Sequence, residues 1–215
     1  MERIERTKTP PWLKPIYRDL GIKWRKRLHL NKKAVFFWNA GAKYEELKAR
    51  LLEMTQHHCA YCDAYPLQRR IYATIDHFRP KRKYPNLAYC WLNLFPCCHH
   101  CQERNDFYDK KLLKPDKASY YFHLYFKIEW ETGVIIPIEA DKHDLEALAR
   151  RECAQLTIKA FNWNKSGRPD DRLMELERFE ALPPERQEAE WNDFCYRFML
   201  RRGTDWIIPP EAAAE

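Results

Sequence analysis

The clearest alternation of apolar and polar positions runs from Tyr121 to Trp130. Phe122, Leu124, Phe126, Ile128 and Trp130 fall on one side, and His123, Tyr125, Lys127 and Glu129 on the other. A two-residue period marks a half-buried strand. With Glu131-Thr132-Gly133 as a turn and Val134–Ile138 as the return, it predicts a β-hairpin. Helical spacing lies on both sides of it. Tyr44, Leu47, Leu51 and Met54 form one stripe over residues 42–56, with Glu46 four residues before Arg50. Leu145, Leu148, Ala149, Cys153, Leu156 and Ala160 form a second, with Asp141 as its expected N-cap. After Pro183-Pro184, Trp191, Phe194, Cys195, Phe198 and Met199 predict a last helix. The tail beyond Trp206 is expected to fray. No internal repeat is visible, and the stripes are core or interface rather than chemistry.

Residues 1–40 are expected to form an arm. Pro10, Pro11 and Pro15 forbid a continuous helix there, and Trp12, Tyr17, Trp24, Phe36, Phe37 and Trp38 are interleaved with basic residues. A basic aromatic arm is open to three readings: nucleic-acid contact, docking on a partner protein, or folding back on its own core. Charge sharpens the question. The chain of 215 residues has 38 Lys and Arg against 31 Asp and Glu, a formal net charge of +7. Residues 1–33 alone hold 11 basic residues and 3 acids, so the remainder sums to −1. Within that remainder, Arg69–Lys83 carries 6 basic residues against the single Asp76, whereas Glu139–Asp193 carries 14 acids against 9. Two basic blocks on a neutral to acidic body point to a local polyanion contact, with a solvated basic face as the plainer alternative.

The longest apolar runs, Ala34–Trp38 and Val134–Ile138, fall far short of the roughly 18 residues that span a bilayer. The opening MERIERTK has no apolar stretch resembling a signal peptide. A soluble, cytoplasmic protein is expected. In such a chain 8 cysteines point to metal ligands or buried thiols rather than disulfides. Four form two knuckles, Cys59-Ala-Tyr-Cys62 and Cys98-His-His-Cys101, separated by 35 residues. Two CxxC pairs complete a closed tetrahedral Zn²⁺ site, which leaves no open position for substrate, so the zinc would be structural. Cys97 and His100 also stand three apart and leave the register of the second pair open. Cys90, Cys153 and Cys195 are expected to be small buried hydrophobes. The stretch from Cys59 to Tyr108, irregular and rich in Cys, His, Pro and aromatics, needs such a clasp because it cannot build an ordinary apolar core.

Between the knuckles lie Ile75-Asp76-His77-Phe78-Arg79-Pro80-Lys81 and Trp91-Leu92-Asn93-Leu94, and the second knuckle runs on into Gln102-Glu103-Arg104-Asn105-Asp106. CxxC, Asp-His, Asn-Leu and CxxC in this order resemble the zinc-stabilised HNH endonucleases. DHFRPKRKYPNLAYCWLNL, the second knuckle and Phe161-Asn162-Trp163-Asn164 resemble more closely the HNH subunit of Septu and retron-linked anti-phage systems. The core motif covers about residues 59–107, and a looser similarity runs from the start of the chain to about Arg178.

The resemblance implies an α+β fold: a ββα-metal (HNH) core on structural zinc, with additional helices and the β-hairpin. The expected organisation is an arm over 1–40 that docks a partner, a nuclease core over 41–115, and a hairpin and helical region over 116–215. It further implies that Asp76 ligates Mg²⁺ or Mn²⁺, that His77 is the general base, and that Asn93 orients His77. Phosphodiester hydrolysis needs such a base and a cation. Adjacent strand residues point to opposite sides, so Asp76 and His77 can serve metal and water separately. Arg79, Lys81, Arg82 and Lys83 would meet phosphates.

Two positions depart from the family pattern. The position after the last zinc cysteine, commonly His or Asn and a second metal ligand, is Gln102, and a frequent Lys three residues on is Asn105. Asp106, one helical turn beyond Gln102, is a hard oxygen donor that would share its face. The expected activity is metal-dependent cleavage of DNA, with RNA as an open alternative, under the control of an ATPase subunit of the same defence system. A catalytically inactive zinc-built binding or scaffold subunit is the competing class.

Overall fold

A computed structural model describes residues 1–38 and 42–200. The tail expected to fray, the last two residues of the predicted arm and the start of the predicted core lie outside the described residues. The fold is mixed α+β. It comprises helices α1 (Leu13–Leu30) and α2 (Ala42–Met54), an antiparallel pair β1 (Ala73–His77) and β2 (Leu94–Cys98), and the single turn α3 (His99–Gln102). A second antiparallel pair follows, β3 (Phe126–Glu129) and β4 (Val134–Pro137). Helices α4 (Leu145–Ala160), α5 (Arg168–Glu180), α6 (Pro184–Ala189) and α7 (Arg197–Leu200) complete it.

The predicted arm is an 18-residue helix for much of its length. Pro15 does not prevent this, because it falls in the first turn, where the missing N–H has no intrahelical partner in any case. Leu13, Tyr17, Trp24 and Leu28 turn inward and share a core with Leu47 and Leu51 of α2, and with Ile75 and Leu94 of the first ladder. Trp24 is only 2% exposed. Trp12 and Trp38 are partly buried against the same core, so the segment folds back on its own body.

The second core gathers Tyr61, Phe95, Phe122, Phe126, Phe161 and Trp163 around the first knuckle and the β3–β4 hairpin. In β3, Phe126 and Ile128 are buried while Lys127 and Glu129 are exposed, as the alternation predicts. The strand is shorter than the pattern, since Phe122–Leu124 is a 3₁₀ turn and Trp130 is exposed. Gly133, with φ +68, makes the turn. In α4 the cap is Asp144, three residues later than expected, accepting from the amides of Glu146 and Ala147, while Asp141 caps a preceding turn through the His143 amide. Ala154, Thr157 and Ala160 face inward there, and Leu145 is exposed. The predicted last helix is broken into α6, a 3₁₀ turn and α7. Tyr196 takes a left-handed φ of 55, and the Cys195 amide donates to Glu175 instead of a helical carbonyl. Arg197 then forms a buried bidentate pair with Asp63 beside the first knuckle.

Candidate functional site

The two knuckles meet. The sulfurs of Cys59, Cys62, Cys98 and Cys101 are all buried and lie within 4.8 Å of one another. The first pair sits in the turn after α2, and the second joins the end of β2 to α3, so the ladder between them brings the pairs together. This resolves the register: Cys97 turns its thiol to the Cys98 carbonyl, and His100 is partly exposed beside Glu103. A buried guanidinium, Arg168, donates to Cys101 Sγ at 3.5 Å and Cys98 Sγ at 3.8 Å. Burial works to lower its pKa, but negative charge on Cys101, Cys62 and Cys98 more than offsets this and raises it. A buried cation against four neutral thiols would be costly, whereas a tetrathiolate zinc centre carries a net charge of −2 and suits it. The donor set therefore fits structural zinc. Cys90, Cys153 and Cys195, expected to be buried, are only partly so.

Asp76 and His77 end β1, and they do face different surroundings. Asp76 Oδ2 accepts from the Tyr61 hydroxyl at 2.7 Å and from Arg104 Nη2 at 2.5 Å. Tyr61 lies inside the first knuckle and Arg104 just past the second, so both halves of the cysteine clasp grip this carboxylate. Arg104 also donates to the carbonyls of His77, Phe78 and Phe107. Burial alone would lower its pKa, but Asp76 more than compensates and raises it. Arg104 and Tyr61 were not anticipated as site residues. A lone Arg and a Tyr between two cysteines give no signal until the fold brings them to Asp76.

His77 is 6% exposed. Its Nε2 lies 2.8 Å from the Ala88 carbonyl, which can only accept, so Nε2 carries the proton and the lone pair of the neutral ring is on Nδ1. Trp38 stacks on the ring at 5.0 Å and 18°, and Phe36 meets it edge-on at 5.2 Å. Burial, followed by the charge of Lys81, lowers the His77 pKa to about 4 against the opposing pull of Asp76, so the ring is neutral at pH 7. The described hydrogen bonds of the Asn93 side chain go to other residues than His77. The Asn93 side-chain oxygen accepts from the Arg79 amide at 2.8 Å, and its nitrogen donates to the carbonyls of Arg79 and Leu87 at 3.0 and 3.1 Å. It staples the two ends of the loop between β1 and β2, and so fixes the neighbouring Ala88 carbonyl that holds His77. The expected direct hydrogen bond from Asn93 to His77 is not among these contacts.

Asp76, His77, Lys81, His99, Gln102 and Asp106 line an open polar cavity of about 400 Å³, to which Glu103 and Asn105 also contribute. The expected helical face shared by Gln102 and Asp106 does not exist, because α3 ends at Gln102 and Asn105 has a left-handed φ of 52. The turn after α3 brings both residues to the cavity by another route. Of the four basic residues predicted to meet phosphate, Lys81 lines the cavity, and Arg79 and Lys83 are exposed close to Tyr84. Arg82 instead donates its guanidinium to the carbonyls of Lys32 and Ala34, holding the N-terminal segment in place.

Among the described residues no helix is long and apolar enough to cross a membrane. No family model matches the chain. A stretch of 65 residues, 30% of the chain, is 38% identical to the Septu protein PtuB of Bacillus thuringiensis and covers 25% of that protein's length.

Proposed function

We propose that the chain is a metal-dependent endonuclease of the HNH type that hydrolyses phosphodiester bonds in DNA, and that it serves as the effector nuclease of a Septu-like anti-phage complex controlled by an ATPase subunit. The observation that carries this reading is the convergence of Asp76, a neutral His77 with its lone pair on Nδ1, and Gln102 on one polar cavity beside a four-cysteine clasp. The likeness to a Septu protein supports the defence setting.

In this reading His77 Nδ1 takes a proton from the attacking water as the new P–O bond forms. Nε2–H, tied to Ala88, keeps the ring in the tautomer that can do so. Asp76 and Gln102 would hold a Mg²⁺ or Mn²⁺ ion, which when bound supplies charge stabilisation to the phosphorane and the departing oxygen. The described hydrogen bonds to Asp76 fall on Oδ2, which makes Oδ1 its donor toward the ion. Asn93 acts as a positioning residue through the loop carbonyls. Lys81 on the cavity wall meets a phosphate oxygen, with Arg79 and Lys83 nearby. Four thiolates leave the zinc no open position, so zinc builds the site and takes no part in turnover.

One observation favours the competing class, a zinc-built binding subunit without catalysis: Asp76 already has a buried cationic partner in Arg104. Cleavage by wild type and by His77→Ala separates the two. A nuclease loses turnover and keeps nucleic-acid binding, whereas a binder is unchanged in both.

A further inference from the structure

The two basic blocks of the sequence lie far apart along the chain but are one surface in the fold. Trp24 Nε1 donates to the Lys81 carbonyl at 3.1 Å, Arg25 to the Asn86 side chain at 2.8 Å, and Arg82 to the carbonyls of Lys32 and Ala34. These hydrogen bonds place the second half of α1 and the turn after it against the loop that carries Arg79, Lys81, Arg82 and Lys83. Lys81 belongs to both, since it lines the cavity while its carbonyl holds α1.

From Arg18 to Lys33 there are seven Lys and Arg, all exposed, and one acid, Asp19. None of the seven forms an ion pair among the described residues. Elsewhere, three arginines of the later part of the chain do pair locally: Arg150 with Glu146, Arg178 with Glu175 and Arg186 with Glu190. A cluster of unpaired like charges repels itself and raises the potential over the adjoining cleft, an arrangement that is relieved by a polyanion. The spacing suits one with regularly placed phosphates: an α-helix rises about 1.5 Å per residue, so the basic stretch extends over several phosphate spacings of a nucleic-acid strand.

We infer that the outer face of the second half of α1 and the turn after it, with Lys26, Lys32 and Lys33 at its centre, is a nucleic-acid backbone-binding surface continuous with the cavity at Lys81. It rests on the nuclease reading for the identity of the polyanion. It assigns to the N-terminal segment the task of holding the strand that runs on from the scissile phosphate. Contacts to phosphate carry no sequence information, so this face supplies affinity and register rather than sequence choice.

The test is the full-length protein and its Lys26→Gln/Lys32→Gln/Lys33→Gln variant, titrated by fluorescence anisotropy against a short fluorescein-labelled DNA duplex over a salt series. No Mg²⁺ or Mn²⁺ is present, so binding is measured apart from cleavage. Equal zinc content and equal melting establish that the variant folds. The surface predicts that the variant binds at least tenfold more weakly at about 0.1 M salt. Its dependence of log K on log salt should fall by about 2 to 3, near 0.9 for each phosphate that is no longer neutralised. Unchanged affinity and slope, or absence of duplex binding by the wild type, would overturn it. So would displacement of the duplex by poly-glutamate as effectively as by unlabelled duplex at equal charge, which would mark a face for an acidic protein. Failure of the nuclease reading looks different: wild type binds through this face, the variant does not, and neither cleaves in any divalent ion.

Discussion

Asp76 shows how much of this site is decided by single side chains. Its carboxylate is buried, and Tyr61 and Arg104 grip the same oxygen from opposite ends of the cysteine clasp. Arg104→Met would leave that charge buried without its cation, a loss of about 3–5 kcal/mol in chemical denaturation. Tyr61→Phe removes one hydrogen bond to a charged acceptor and should cost about 1.5–3 kcal/mol. It should also raise the divalent-ion concentration needed for half-maximal cleavage, since the carboxylate would be less firmly held. If Tyr61→Phe lowered stability with no change in ion dependence, the grip would serve folding alone. Asn93→Ala leaves two carbonyls and an amide of the loop without partners. About 2–3 kcal/mol of destabilisation is expected, together with slower cleavage at unchanged nucleic-acid affinity, because Asn93 acts on the carbonyl behind His77 rather than on the strand.

At the level of elements, the β3–β4 turn is held by geometry with little tolerance. A Cβ on Gly133 would lie 2.2 Å from the Pro169 carbonyl oxygen at the start of α5, at a φ that L-residues avoid. Gly133→Ala should therefore cost more than the roughly 1–2 kcal/mol of left-handed strain alone, read as a lowered midpoint in urea. That hairpin was legible from the sequence because a period of two and a turn glycine are local signals, and so was the inward stripe of Leu47 and Leu51. The last helix was not, because its apolar spacing is helical while its path is set by distant partners: Glu175 takes the Cys195 amide, and Asp63 takes Arg197. The first helix was obscured by prolines, whose cost depends on whether they fall in the first turn or beyond it, a boundary that composition does not reveal. In the site, the cysteines were readable from spacing, and Asp76 and His77 only through the family resemblance. Arg104, Tyr61, Ala88, Phe36 and Trp38 were not, since each reaches the site only through tertiary packing.

At the scale of the whole molecule, two cores meet across the β1–β2 ladder, and the cysteine clasp closes the chain around it. Zinc is therefore predicted to be a folding element: one ion per chain by mass spectrometry of the native protein, and loss of cooperative melting when a strong chelator strips it. Arg168→Met should weaken zinc retention, because it withdraws the cation that faces the thiolates. Retention equal to wild type would detach Arg168 from the centre. The same architecture sets Lys81 on the cavity wall, and no residue of α4, α5 or α6 lines that cavity, an arrangement that suits the proposed action on a polyanion.

The most direct measurement of the central claim is cleavage of supercoiled plasmid by purified wild type and His77→Ala at equal zinc content, with and without Mg²⁺ or Mn²⁺. The account predicts nicking by the wild type that needs the divalent ion and falls by at least a hundredfold in the variant, the contribution of a general base. Nicking that persists undiminished in His77→Ala, or that is absent in every divalent ion both for the protein alone and for its co-purified complex, would contradict it.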